Sequence, residues 1–290
     1  MSALMQLRVR ASRTQLRAPL VWIRHLGLDC NDVFLASYPR SGNTMLRFPL
    51  ADLISGVPSS FDYVQRIVPE IGVHVHAFPL LPGGGRLIKT HERYRRKYAR
   101  AIYIVRDVRD VALSAYARES AVGVLGGLTF DDYLEPFLKG KMSRWGSWSQ
   151  HIESWLSSPI ARSGSLLILR FEEIRCDIAG AICRTLAFLG VPTHAEAIRL
   201  ACAANSIDKM RLKEEQSLTL PKGAEGGGLI RAGAVGDWQR VMSQAQMEIV
   251  RRYAGATLER LGYDPGSPSR MQSREPGMPR VAQRSTSITQ

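Results

Sequence analysis

Four short segments carry side chains whose types and spacing suit the handling of an anion. In LASYPRSGNTMLR (residues 35–47) a loop offers Arg40, the hydroxyls of Ser41 and Thr44, and the small Gly42. A following helix would add backbone N–H groups and its positive end. In LIKTH (87–91), Lys89 and His91 are two residues apart, so an extended strand end projects both to one side. That pairs a cation with an imidazole able to move a proton near neutral pH. In RDVRDVALSAY (106–116), Arg106 and Ser114 could grip one anionic group from two directions, and LIRAGAVGDW (229–238) sets Arg231 beside Gly233. A nucleotide loop of the Walker type needs a second glycine and a lysine that PRSGNT lacks, so the letters indicate an anion without indicating a nucleoside triphosphate.

The surrounding pattern predicts the elements that position these groups. Val33 to Tyr38 is a short apolar run bounded by Asn31-Asp32 and Pro39, which reads as a buried strand, and helical spacing follows through Ser55 to Gly56. Pro49 falls inside that helix, where a kink is expected. Further strands are expected over Arg86–His91, Ala101–Val105 and Ser165–Leu169, with helices after Asp110 to about Arg118 and over Ile178–Leu189. Alternating strands and helices predict a single α/β domain with a mostly parallel central sheet flanked by helices. Two glycine-rich segments, Glu119–Leu128 and Lys222–Gly228, read as loops that could line an acceptor pocket or close over it.

The chain has 290 residues, 45% hydrophobic and 22% charged, and no apolar run approaches the ~20 residues of a membrane span. Residues 1–31 read as a basic N-terminal arm, 32–264 as the folded domain, and 265–290, rich in Ser, Pro, Gln and Arg, as a disordered tail. Cys30, Cys176, Cys183 and Cys202 form neither a CxxC pair nor a zinc-ligand spacing, which fits a reducing cytoplasm and indicates no metal. His74 and His76 lack a third ligand, and His151, between Trp148 and Trp155, reads as packed structure. The net charge of +13 attracts polyanions, yet the cluster from Arg86 to Arg100 has only Tyr94 and Tyr98 as aromatic partners and no nucleic-acid motif beside it.

The four segments together resemble the cytosolic-type sulfotransferase family, which has a P-loop-like fold and uses 3′-phosphoadenosine 5′-phosphosulfate. Tyr38–Met45 is similar to its 5′-phosphosulfate loop, KTH (89–91) to its catalytic strand end, RDVRDVALSAY to its 3′-phosphate motif, and RAGAVGDW to its C-terminal RKGxxGDW. Weaker echoes are GSWSQHIESW (146–155), RFEEI (170–174) and NSIDKM (205–210). The resemblance implies His91 as general base, Lys89 and Arg40 as stabilisers of charge on the sulfuryl and leaving oxygens, and a metal-free in-line displacement. It implies that Arg40, Ser41, Gly42, Asn43, Thr44 and Met45 hold the 5′ end of the donor. Arg106, Ser114, Arg231 and Gly233 would hold its 3′-phosphate, with Phe171 and Ile207 near the base. The acceptor would be a hydroxyl or amine of a small molecule, lipid or sugar, and nucleic acid is not expected as a partner.

This sequence departs from the family pattern at Arg40 for Lys, Met45 for Trp, Phe171 for Tyr, Ile207 for Phe and Ala232 for Lys. Weaker stacking on the base is expected from the lost aromatics. The family's dimer segment becomes Gln239, Ser243, Gln244 and Glu248, so its dimer is not carried over. Two other readings share the loop. A nucleotide kinase would need a loop lysine and an acidic magnesium ligand, neither of which is evident; a non-catalytic polyanion-binding module would need only the basic face.

Overall fold

A computed structural model describes residues 17–218 and 234–264. In chain order the elements are α1 (Arg17–Arg24), β1 (Val33–Ser37), α2 (Asn43–Ser55), α3 (Val64–Ile67), a 3₁₀ turn (His74–His76), β2 (Leu87–Thr90) and β3 (Arg100–Val105). There follow α4 (Val108–Ala121), α5 (Phe130–Leu138), α6 (Trp148–Leu156), α7 (Pro159–Arg162), β4 (Leu166–Arg170), α8 (Phe171–Cys176) and α9 (Ile178–Leu189). The last are α10 (Ala195–Ala204), α11 (Ile207–Glu215), α12 (Trp238–Val241) and α13 (Gln244–Arg260). Lys222–Gly228, Arg231 and Gly233 lie outside the described residues, as do residues 1–16 of the N-terminal arm and the whole C-terminal tail.

The four strands are parallel in the order β2-β1-β3-β4. Their alternating side chains divide the core in two. Phe34, Ala36, Ile88, Tyr103 and Val105 face a cluster completed by α4, α5, α6 and α13. Val33, Leu35, Leu87, Ile102 and Ile104 face one completed by α2, α3, α9 and α10. Burial on both faces explains why the central strands β1 and β3 read as near-continuous apolar runs, while β4 at the sheet edge is only partly covered. Each large apolar side chain taken fully out of water contributes roughly 1.5–3 kcal/mol.

From β1 the chain passes to β2 on one side and then crosses back to β3 on the other, so a crevice opens beyond the carboxyl ends of β1 and β3. Helix α2 is continuous across Pro49 and ends at Gly56, whose φ of 70° puts it in the left-handed region a helix stop favours. Helix α4 starts on the Asp107 carboxylate, which caps Arg109 N, and runs to Ala121, three residues beyond the expected end. Of the expected acceptor loop, Leu125 and Leu128 pack against the core, and Leu128 O accepts a hydrogen bond from Tyr116.

Candidate active site

A cavity of about 350 Å³ lies at the carboxyl ends of β1, β2 and β3. Its floor includes Arg40, Gly42, Asn43 and Thr44 from the β1–α2 loop, with Lys89 and His91 from the end of β2. Arg106, Asp110 and Ser114 come from the start of α4, and Met45, Phe171 and Ile207 close another side. Segments 35–47, 87–91 and 106–116, distant in sequence, therefore meet in one place.

Arg40 has φ 68°, the only non-glycine residue in the left-handed region among those described. Arg106 stabilises that turn by donating from Nη1 to Arg40 O at 3.0 Å, while its Nη2 donates to Ala234 O at 2.8 Å. Gly42 follows at φ 88°, and a Cβ there would sit 2.4 Å from the Phe171 ring. Arg106 also engages this ring, its guanidinium lying over it 4.1 Å from the Phe171 centroid. The result is a concave run of backbone closing onto the N-terminus of α2. The Asn43 amide donates back to Leu35 O at 3.0 Å and Ser37 Oγ at 3.3 Å, tying the loop to β1. Arg40 Nε donates to Ser114 Oγ at 3.1 Å, joining the loop to α4.

His91 is fixed by a 2.8 Å contact between Nδ1 and Ser37 O. A carbonyl only accepts, so Nδ1 carries the proton and Nε2 keeps the lone pair. Burial, then the charge of Lys89, pushes the imidazole pKa down to about 3, so it is neutral. The backbone of His91 is held in turn by His151, whose Nε2 donates to His91 O at 3.0 Å and whose Nδ1 accepts from Tyr103 at 2.8 Å. Burial lowers the His151 pKa to about 4. Trp145 meets the His91 ring edge-on with centroids 5.6 Å apart.

Lys89 lies 3.4 Å from Glu70, a partner that sequence reasoning missed. Burial lowers the ammonium pKa and Glu70 opposes that effect. Burial would raise the Glu70 pKa, but Lys89, His91, Arg47 and Arg24 outweigh it and hold the carboxylate at about 2. Glu92 faces elsewhere, buried between Arg24 at 3.6 Å and Arg95 at 3.7 Å. Asp110 was also missed; it accepts from Gly236 N at 2.8 Å and Trp238 N at 3.3 Å, bringing the GDW segment to α4. A signal for it was present, since Asp110 sits one helical turn from Arg106. Nothing comparable marked Glu70 or Trp145.

Three buried polar atoms at this site have no hydrogen-bond partner: the donors Ser41 Oγ and Arg106 Nε, and the acceptor Asn43 Oδ1. Unmet donors beside a left-handed loop and a helix N-terminus fit a phosphate-bearing group. Among the described residues no cluster of His, Cys, Asp or Glu could hold a metal ion, and no helix is long and apolar enough to cross a membrane.

Comparison with known proteins agrees with this architecture. The chain is 30% identical to human sulfotransferase 2B1 over 77% of its own length and 64% of the relative's, so it spans somewhat under two thirds of that protein. It is 29% identical to mouse sulfotransferase 2A1 over 75% of this chain and 80% of the relative. Among solved structures, retinol dehydratase in complex with retinol and PAP superposes with a TM-score of 0.66 at 21% identity, covering 82% of this chain and 84% of that one. Mouse sulfotransferase SULT7A1 complexed with PAP gives 0.60 at 23% identity, covering 83% and 91%. The family model described as Sulfotransferase domain matches residues 30–262, and the chain therefore belongs to the sulfotransferase family.

Proposed function

We propose that this protein transfers a sulfuryl group from 3′-phosphoadenosine 5′-phosphosulfate to a hydroxyl or amine of a small-molecule, lipid or sugar acceptor, and that it does so in the cytoplasm. One observation carries the reading: a neutral His91 with its proton assigned to Nδ1 shares a cavity with Lys89, Arg40 and an anion-shaped loop. The complexes of related folds with PAP support the choice of donor.

The donor supplies an activated sulfuryl group when bound. Arg40, Ser41, Gly42, Asn43 and Thr44 hold its 5′ end through backbone N–H groups, hydroxyls and one guanidinium. Arg106 and Ser114 take the 3′-phosphate together with Arg231 and Gly233, which lie outside the described residues. Met45, Phe171 and Ile207 border the base. His91 Nε2 takes the proton of the acceptor hydroxyl, and Ser37 O stabilises the imidazolium that results. Lys89 and Arg40 place fixed positive charge where negative charge grows, which lowers the barrier most inside a site shielded from water. Glu70 keeps Lys89 oriented before an anion arrives. The residues 32–264 constitute the catalytic domain in this reading.

The test is to incubate the full chain with radiolabelled donor and a panel of hydroxyl compounds led by retinol and androsterone, which two structural neighbours hold. Labelled product that disappears in His91→Ala supports the proposal. Failure of both the donor and its bisphosphate product to bind at low salt refutes it.

A further inference from the structure

Helix α1 is built inside out. At 100° per residue, Pro19, Leu20, Trp22 and Ile23 sweep about 160° of its outer surface. Leu20, Trp22 and Ile23 are 49%, 62% and 55% exposed, and Leu26 in the next turn is 43% exposed. The inward side buries Val21 and carries polar work beside it. His25 Nδ1 donates to Val21 O and its Nε2 accepts from Tyr98 Oη, at 2.5 Å each, and Arg24 donates to Ile71 O at 2.7 Å while facing Glu70 and Glu92. Val73 and Val75 extend the apolar face, with Val75 packed so closely on Gly27 that a Cβ there would clash at 2.8 Å.

A cationic rim flanks this face. Glu92 pairs with both Arg24 of α1 and Arg95, which draws the exposed Arg95-Arg96-Lys97 segment alongside the helix. By sequence, the first 28 residues hold five arginines and no acid. Apolar residues including a Trp, bordered by Arg and Lys, are the makings of a surface that lies in a lipid headgroup region. The charge also argues against two other occupants. A two-fold contact between copies would set one cationic rim against another, and the arginines of the chain's own N-terminal arm would meet the same repulsion.

We propose that α1 and the Val73–Val75 ridge dock this protein on an anionic lipid bilayer, with Trp22 and Ile23 inserted at the interface and Arg95, Arg96 and Lys97 on the headgroups. Through the Arg24–Glu70–Lys89 chain of ion pairs, the docking helix is also linked to the cavity. The proposal stands independently of the sulfuryl-transfer reading.

The experiment is co-sedimentation of the full chain with vesicles of phosphatidylcholine alone and of phosphatidylcholine mixed with phosphatidylserine, at low and raised salt. Wild type is expected to pellet with the anionic vesicles, less so as salt rises, and to be quenched by brominated lipid. Trp22→Ser/Ile23→Ser, which changes only exposed side chains, is expected to lose binding by about tenfold or more and to keep the wild-type melting temperature. Arg96→Glu/Lys97→Glu is expected to lose the preference for anionic vesicles. Equal binding to neutral and anionic vesicles, an unaltered affinity of the Trp22/Ile23 variant, or a dimer in sedimentation velocity that this variant dissociates would each overturn the proposal.

Discussion

Gly42→Ala separates the two demands that the anion loop makes on its backbone. The first is conformational: at φ 88° an L side chain costs about 1–2 kcal/mol relative to glycine. The second is steric. A Cβ at this position would lie 2.4 Å from Phe171 Cδ2 and 2.7 Å from Cε2, whereas ordinary contact begins at 3.4 Å, so the ring must retreat by about 1 Å. Phe171 is 3% exposed and carries the Arg106 guanidinium on its face, which leaves no easy direction of retreat. Overpacking of this kind costs about 1–3 kcal/mol. The two contributions sum to about 2–5 kcal/mol, and each kcal/mol corresponds to roughly 2–4 °C in a domain of this size.

Gly56→Ala is the internal control. Gly56 has φ 70° and nothing within 4 Å of an added Cβ, so it incurs the conformational cost alone. Urea unfolding of both variants, with calorimetric titration of the bisphosphate product, measures the difference. Gly42→Ala is expected to be less stable than Gly56→Ala by about 1–3 kcal/mol and to bind product much more weakly. Adding Phe171→Ala to Gly42→Ala is expected to recover part of the loss relative to Phe171→Ala alone. Equal stabilities for the two glycine variants, with product affinity intact in both, would refute the idea that Phe171 limits the loop.

Four other outcomes are expected. His91→Ala should abolish product formation while leaving product affinity within a few-fold of wild type, as measured by single-turnover assay and titration. The dependence of kcat/KM for the donor on pH should show no acidic limb near 6.5, because His91 in the free protein titrates at about 3. His151 should contribute to stability in the same sense: its folded pKa of about 4 lies below the unfolded value of 6.5, so the contribution is complete above pH 6.5 and is lost as pH falls toward 4. Its loss is at most about 3 kcal/mol, and urea midpoints that stay level from pH 7 to about 4 would contradict it. Glu70→Gln strands a buried Lys89 without its carboxylate. It should lower stability by about 1–2 kcal/mol, discounted from a fully buried pair because Glu70 is a third exposed, with thermal unfolding as the readout.

The parts of the fold and site that could be read from the letters are those with a local signature. Strands buried on both faces announce themselves as apolar runs, and Gly56 and Gly190 mark helix ends, so the sheet and its order of elements were accessible. Lys89 and His91 fall on one cavity because two residues is the period of a strand. What the letters hid depends on contacts between distant segments. Glu70 follows a proline in an irregular stretch, and only the isolated bridge that pairs it with Lys89 brings its carboxylate to the ammonium. Phe171 could be named only as a neighbour of a nucleotide base, whereas the fold wedges it beneath Gly42. The left-handed turn at Arg40 has no sequence signal either, since a bulky residue is normally excluded there. Arg106 donating to Arg40 O supplies the reason it persists. A residue held in a strained conformation by a second arginine, which also spans to Ala234, couples the shape of the anion loop to the C-terminal segment that Asp110 secures. Arg106 is thus a constraint on loop geometry, and replacing it would deform the cradle as well as remove a charge from it.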